Sequence, residues 1–176
     1  MHTEIETKLK VDSLDAVKRQ LIAMRAEFIE EQKQIDHYFD TSKRTLTAED
    51  KCLRLRFQQA GGKEKIFVTF KGAKFASEIK QRTEIEFGVT DFQSAQDLFE
   101  QLGYKKVLEV AKIRSLWRMD DCEIALDEVS GLGTFVEIEG DDAEIIAQVK
   151  RKLGLGELRH IVESYACLME GKMRNQ

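Results

Sequence analysis

The chain of 176 residues contains no proline, so its turns have to rest on Gly, Asp, Asn and Ser. It has only three cysteines, Cys52, Cys122 and Cys167, far apart and without a C-x-x-C pair. That excludes a disulfide framework and a cysteine-built zinc site, and reduced thiols fit a cytoplasmic protein. Its three histidines, His2, His37 and His160, are isolated and show no metal-ligand spacing. No apolar run reaches the length of a membrane span. Residues 1–10 alternate in charge, unlike a signal peptide. There is no basic excess either: 28 basic against 32 acidic residues leave a formal net charge of −4. This argues against a general nucleic-acid binder. Neither a G-x-x-x-x-G-K-[ST] loop nor a G-x-G-x-x-G turn after a strand is present, so the usual nucleotide-binding loops are excluded.

What the sequence has in quantity is charge: 34% Asp, Glu, Lys and Arg, beside 42% hydrophobic residues. Helical spacing follows Asp12-Ser13, Asp91 and Asp141-Asp142, with Asp12, Asp91 and Asp141 as N-caps. The second and third of these helices close at Gly103 and Gly154, and a last helix is expected over Ile161–Met169. Period-two alternation predicts strands at Thr3–Val11, Ile35–Asp40, Cys52–Gln58, Lys65–Lys71, Ile79–Val89, Val107–Arg118, Glu123–Glu128 and Thr134–Glu139. Gly61-Gly62 reads as a hairpin turn. Each half of the chain runs from a charged strand through a helix to further strands, a hint of duplication. The class is α+β, mostly antiparallel, in a single domain over residues 1–176.

The strands are charged on one side. Glu4, Glu6, Lys8 and Lys10 share a face opposite Ile5, Leu9 and Val11. Arg54 and Arg56, Thr69 and Lys71, Arg82, Glu84 and Glu86, Lys112 and Arg114, Glu123 and Asp127, and Glu137 and Glu139 repeat the split. A single strand of this kind is accounted for by a sheet with one face in water. Seven of the eight expected strands behaving alike, with so little Ser, Thr or Gln among the charges, point to a closed sheet with the charges inside. Buried charges need partners. A lumen with both signs suits a triphosphate carrying a divalent cation. Arginine and lysine would take the phosphates, and carboxylates the cation.

The order of these motifs resembles the CYTH, or triphosphate tunnel metalloenzyme, superfamily. Glu4-Ile5-Glu6-Thr7-Lys8 matches its E-x-E-x-K signature. Arg54-x-Arg56, Thr69-Phe70-Lys71-Gly72, Arg82-x-Glu84-x-Glu86, Lys112-x-Arg114, Leu126-Asp127-Glu128-Val129 and Phe135-Val136-Glu137-Ile138-Glu139 follow in family order. The resemblance implies an eight-stranded antiparallel β-barrel tunnel of two fused similar halves with flanking helices. It implies Mg²⁺ or Mn²⁺ at Glu4, Glu6, Glu84, Glu137 and Glu139. It implies a triphosphate on Lys8, Arg54, Arg56, Lys71, Arg82, Lys112 and Arg114, catalysis involving Lys8, Glu6 and Asp127, and it allows a homodimer. Asp36-His37-Tyr38-Phe39-Asp40, the Asp127–Gly133 turn and Ser164-Tyr165 are similar to the class IV adenylyl cyclase branch. That branch converts ATP to cyclic AMP and pyrophosphate. Ala73 after the Thr69–Gly72 turn and residues 77–81 depart from the branch pattern. Hydrolysis of tripolyphosphate, thiamine triphosphate or a nucleoside triphosphate, and binding without turnover, are the alternatives for the same tunnel.

Overall fold

The computed structural model describes residues 5–73 and 83–175, so Glu4 and Arg82 lie outside the described residues. Eight strands form one antiparallel sheet: β1 (Ile5–Val11), β2 (Glu27–Asp40), β3 (Cys52–Ala60), β4 (Lys63–Lys71), β5 (Glu84–Val89), β6 (Lys105–Met119), β7 (Cys122–Val129) and β8 (Gly133–Gly140). Their order is β1-β8-β7-β6-β2-β3-β4-β5. Among the described residues five helices accompany them: α1 (Leu14–Ala23), α2 (Thr45–Ala48), α3 (Phe92–Gln101), α4 (Ala143–Lys152) and α5 (Tyr165–Arg174). Among the described residues β1 and β5 stay at the two ends of this order, so the expected closed barrel is instead an open, curled sheet. The free edge of β1 is covered by the segment before α5. Lys8 N donates to His160 Nδ1 and Ile161 N donates to Lys8 O.

The alternation sorts the two faces as expected. Leu9, Ile124, Leu126, Val136 and Ile138 turn outward and are buried with Val17 and Leu21 of α1 and Ile146 and Val149 of α4. Phe39, Leu53, Leu55 and Val68 do the same under Ala95 and Phe99 of α3. A third cluster lies on the inner face. There Leu108, Val110, Val129 and Phe135 meet Tyr165, so α5 packs against the charged side.

The halves are near copies. The units β1-α1-β2-β3-β4 and β5-α3-β6-β7-β8 exchange places when the strand order is read backwards. Helices α1 and α3 are each ten residues long. Their ends match bond for bond. Ala26 N donates to Leu21 O and Arg25 N to Ile22 O, as Tyr104 N does to Phe99 O and Gly103 N to Glu100 O. Both ends place one residue in the left-handed region, Gly103 at φ 91° but Arg25 at φ 57°. A side chain costs energy there and glycine does not. Arg25→Gly should therefore raise stability by roughly 0.5–1 kcal/mol, read as a higher urea midpoint with unchanged slope.

Several sequence expectations shift. Ser13 and Asp142 cap α1 and α4, not Asp12 and Asp141, while Asp91 caps α3 as expected. Strand β2 begins at Glu27, eight residues before its expected start at Ile35. A register shift at Phe28/Glu30 and polar residues on both faces hide its first half from an alternation count. The last helix starts at Tyr165, behind its cap Ser164, because Ile161 is hydrogen-bonded to β1 through Lys8. Of the strand expected over residues 79–89, the described part is Glu84–Val89. Helix α2, four residues long, was not foreseen.

Candidate active site

Two charged clusters line the inner face. In the first, Asp127 on β7 is fully buried and supplies oxygens to four donors. Arg114 on β6 donates Nε at 2.7 Å and Nη2 at 2.6 Å. Lys112 Nζ lies at 3.3 Å, and Tyr165 donates its hydroxyl at 2.8 Å. Arg114 also pairs with Glu137 on β8. Lys8 on β1 stands 3.3 Å from Glu137 and donates to the Glu163 carbonyl at 3.1 Å. A flat sheet would hold β1 and β6 about 14 Å apart. Here the Lys8 and Lys112 ammonium groups lie 4.5 and 4.9 Å from the centroid of the Tyr165 ring.

Burial works against the charges of Asp127, Glu137 and Lys112, and its balance with their neighbours differs from one to the next. It pushes the carboxyls of Asp127 and Glu137 upward, but the charges of Arg114 and Lys112 outweigh it and hold both well below the usual range. Lys112 goes the other way. Burial and then the adjacent Arg114 charge bring it down to about 7, against partial opposition from Asp127 and Glu137. Burial and the nearby carboxylates raise the Tyr165 hydroxyl, which therefore stays protonated and donates.

The second cluster belongs to the other half. Arg56 on β3 donates Nε and Nη2 to Asp36 on β2 at 2.6 and 2.8 Å. Burial raises the Asp36 carboxyl, but those hydrogen bonds and the charges of Arg56, Arg54 and Lys112 prevail and set it at about 2. Arg54 donates Nη2 to Thr69 Oγ1 at 3.0 Å and to Glu86 at 3.3 Å, and Thr69 donates to Glu86 at 2.7 Å. Lys71 pairs with Glu84 at 2.6 Å. Register makes the two clusters counterparts: Asp36 faces Arg56 across β2–β3, and Arg114 faces Asp127 across β6–β7. Acid and base have changed places between the halves. Gln34 and Lys112 face each other at the centre, on the seam between β2 and β6.

Except for Glu4 and Arg82, which lie outside the described residues, each expected site residue can now be placed. Lys8, Arg114, Lys112, Asp127 and Glu137 form one cluster, and Arg54 and Arg56 lie in the other. Lys71 and Glu84 pair with each other on β4 and β5. Glu6 faces Glu139 across β1–β8, and Glu139 faces Glu123 across β7–β8, a row of three like charges. The register therefore brings three carboxylates side by side on the inner face. Their hard oxygen donors fit Mg²⁺ or Mn²⁺. Among the described residues no three acidic, His or Cys side chains already converge on one point. Asp36, Gln32, Gln34 and Tyr165 were not assigned to the site from sequence. Asp36 and Tyr165 do stand in the motifs similar to the class IV branch, while Gln32 and Gln34 are traced only by the alternation Gln32-x-Gln34-x-Asp36, and the helix that carries Tyr165 gives no strand pattern.

Comparison with known proteins agrees with this architecture. A family model described as the CYTH domain matches residues 2–165. A candidate adenylate cyclase of Methanocaldococcus jannaschii is 35% identical over 142 residues, covering 81% of this chain and 79% of that one. The adenylate cyclase CyaB of Aeromonas hydrophila is 30% identical over 177 residues, 95% of this chain and 88% of its own. The solved structure of the PH1819 protein from Pyrococcus horikoshii superposes with a TM-score of 0.82 at 29% identity, covering 96% of this chain and 99% of that one. Among the described residues no helix is long and apolar enough to cross a membrane.

Proposed function

We propose, from the premise that the chain belongs to the CYTH domain family, that it is a metal-dependent enzyme acting on a triphosphate, and that its reaction is the cyclisation of ATP to cyclic AMP and pyrophosphate. The observation that carries the reading is the set of cations turned to one inner face: Lys8, Arg54, Arg56, Lys112 and Arg114. They are held by carboxylates that a phosphate chain can replace as partners. The Aeromonas hydrophila relative, named as an adenylate cyclase, supports the choice of reaction.

Lys112 and Arg114 sit in one half, Arg54 and Arg56 in the other, so a triphosphate lying across the β2–β6 seam meets donors from both. The arginines present planar forks suited to phosphate oxygens. In cyclisation the ribose 3′-oxygen bonds to the α-phosphorus, the bond from that phosphorus to the bridging oxygen of the β-phosphate breaks so that pyrophosphate departs with the bonding pair, and the hydroxyl proton passes to water. The basic side chains stabilise the negative charge that gathers on the departing pyrophosphate. Lys8, between Glu137 and the Tyr165 ring, steadies a phosphate oxygen. Glu6, Glu137 and Glu139 would hold the metal ion, which supplies charge neutralisation on the phosphates and a lowered hydroxyl pKa. Asp127 orients Lys112 and Arg114.

The test is product analysis by ³¹P NMR after incubation with ATP, or with tripolyphosphate, and Mg²⁺ or Mn²⁺. Cyclic AMP with pyrophosphate is the expected result. Orthophosphate from tripolyphosphate without a cyclic nucleotide would make the same site a hydrolase, and no turnover of either would end the reading. Glu6→Ala should lower turnover at least about a hundredfold while the melting temperature stays near that of the parent protein.

A further inference from the structure

We infer that Tyr165 is a positioning residue, through which helix α5 sets the places of the two lysines that meet the phosphates; the inference rests on the triphosphate reading above. Tyr165 is the first residue of α5 and is buried. Its ring has the ammonium groups of Lys8, from β1, and Lys112, from β6, within cation–π range. Its hydroxyl donates to Asp127, the carboxylate that also holds Lys112 and Arg114. Phe135 packs edge-to-face on the same ring at 5.1 Å and fixes its plane. One side chain thus touches three charged groups on three strands.

The arrangement answers a specific difficulty. Two ammonium groups that must meet the same ligand repel each other in its absence, and long lysine side chains lose much entropy when fixed. A ring face attracts both cations without neutralising them, unlike another carboxylate. The ring therefore holds the lysines in place without consuming any of their N–H donors. The rest of α5 is tied down independently. Ser164 caps it, and Glu170 pairs with Arg44. The ring position is accordingly set by helix docking and not by the lysines themselves.

The experiment compares Tyr165→Phe, Tyr165→Leu and, as a packing control in the same cluster, Leu168→Ala. The first readout is binding of inorganic tripolyphosphate by calorimetry. The second is the chemical shift of the lysine ε-methylene groups in ¹³C-lysine-labelled protein, where a ring current moves protons held above it upfield. Tyr165→Phe should keep two upfield lysine signals and bind within a few-fold of the parent. Tyr165→Leu should lose both signals and bind at least about tenfold more weakly. Leu168→Ala should lose stability but keep both signals and its affinity. Unchanged tripolyphosphate affinity in folded Tyr165→Leu would overturn the inference. So would a loss in Leu168→Ala as large as that in Tyr165→Leu. If the parent protein bound no tripolyphosphate, the triphosphate reading would fall, and with it the role given to the lysines. Upfield lysine signals lost only in Tyr165→Leu would still uphold the ring as what positions them, and their absence from the parent would overturn that too.

Discussion

Replacing Asp127 with alanine should remove about 3–5 kcal/mol of folding stability, seen as a large fall in the urea midpoint. Asp127 has no exposed surface and serves Arg114 twice, Lys112 and Tyr165. Without it, the buried Lys112 and the half-buried Arg114 share the Glu137 region and one buried hydroxyl loses its acceptor. Leaving a buried charge uncompensated is among the most destabilising single changes. Asp36→Ala should cost less. Asp36 is bound bidentately by Arg56, and Arg54, its more distant partner at 3.9 Å, keeps Glu86 and Thr69. A loss below about 1 kcal/mol for Asp127→Ala would mean that the carboxylate does not hold the cluster together. Asp127 was expected from the motif to take part in catalysis; with its oxygens given to the side chains around it, we propose that its part is to hold Lys112 and Arg114.

Tripolyphosphate affinity should fall close to tenfold per pH unit above about pH 7, with nearly one proton taken up per ligand bound at pH 8. The free protein holds Lys112 at about 7 because it is buried and lies beside Arg114. A bound polyanion favours the charged form and raises that value. Between the free and bound values the complex carries a proton that the free protein lacks, so binding weakens as pH rises. The same displacement acts on folding with the opposite sign. Lys112 titrates near 10.5 when unfolded, so the unfolded chain holds more protons between about pH 7 and 10.5. Lys112 therefore contributes stability that grows as pH rises through that window. Calorimetry in two buffers of different ionisation enthalpy counts the protons. Lys112→Met should abolish the uptake. An uptake that persists in that variant would assign it to another group.

How much of this could be read from the residues differs by element. Face assignment came through almost whole, because period two is rigid: Leu9 and Lys8 cannot share a side. The partition of Ile124, Leu126, Val136 and Ile138 from Asp127 and Glu137 followed in the same way. Contacts between side chains of distant segments did not come through. Alternation places Asp36 and Arg56 on one face but does not say that they face each other across β2–β3. It also cannot show that Arg114 and Asp127 repeat that pair with the charges exchanged. The start of β2 was lost to a bulge, and the start of α5 to the pairing of Ile161 with β1. The charge on the inner face suggested a closed barrel, whereas among the described residues the strand order leaves β1 and β5 unpaired with each other.

The seam between β2 and β6 also governs how the molecule can form. Hairpins β3–β4, β6–β7 and β7–β8 join strands that are close in the chain. The seam joins Gln34 to Lys112, and the β1–β8 pair joins Ile5 to Gly140. Closing such long loops precedes the contacts that reward it, so a chain of this topology reaches its native state slowly. Until the seam closes, Arg56 with Asp36 and Arg114 with Asp127 can pair only as hydrated hairpin-borne ions on separate halves. Their dehydration is therefore a late event in folding, and the half-assembled sheet exposes the strand edges along which two chains could join in error.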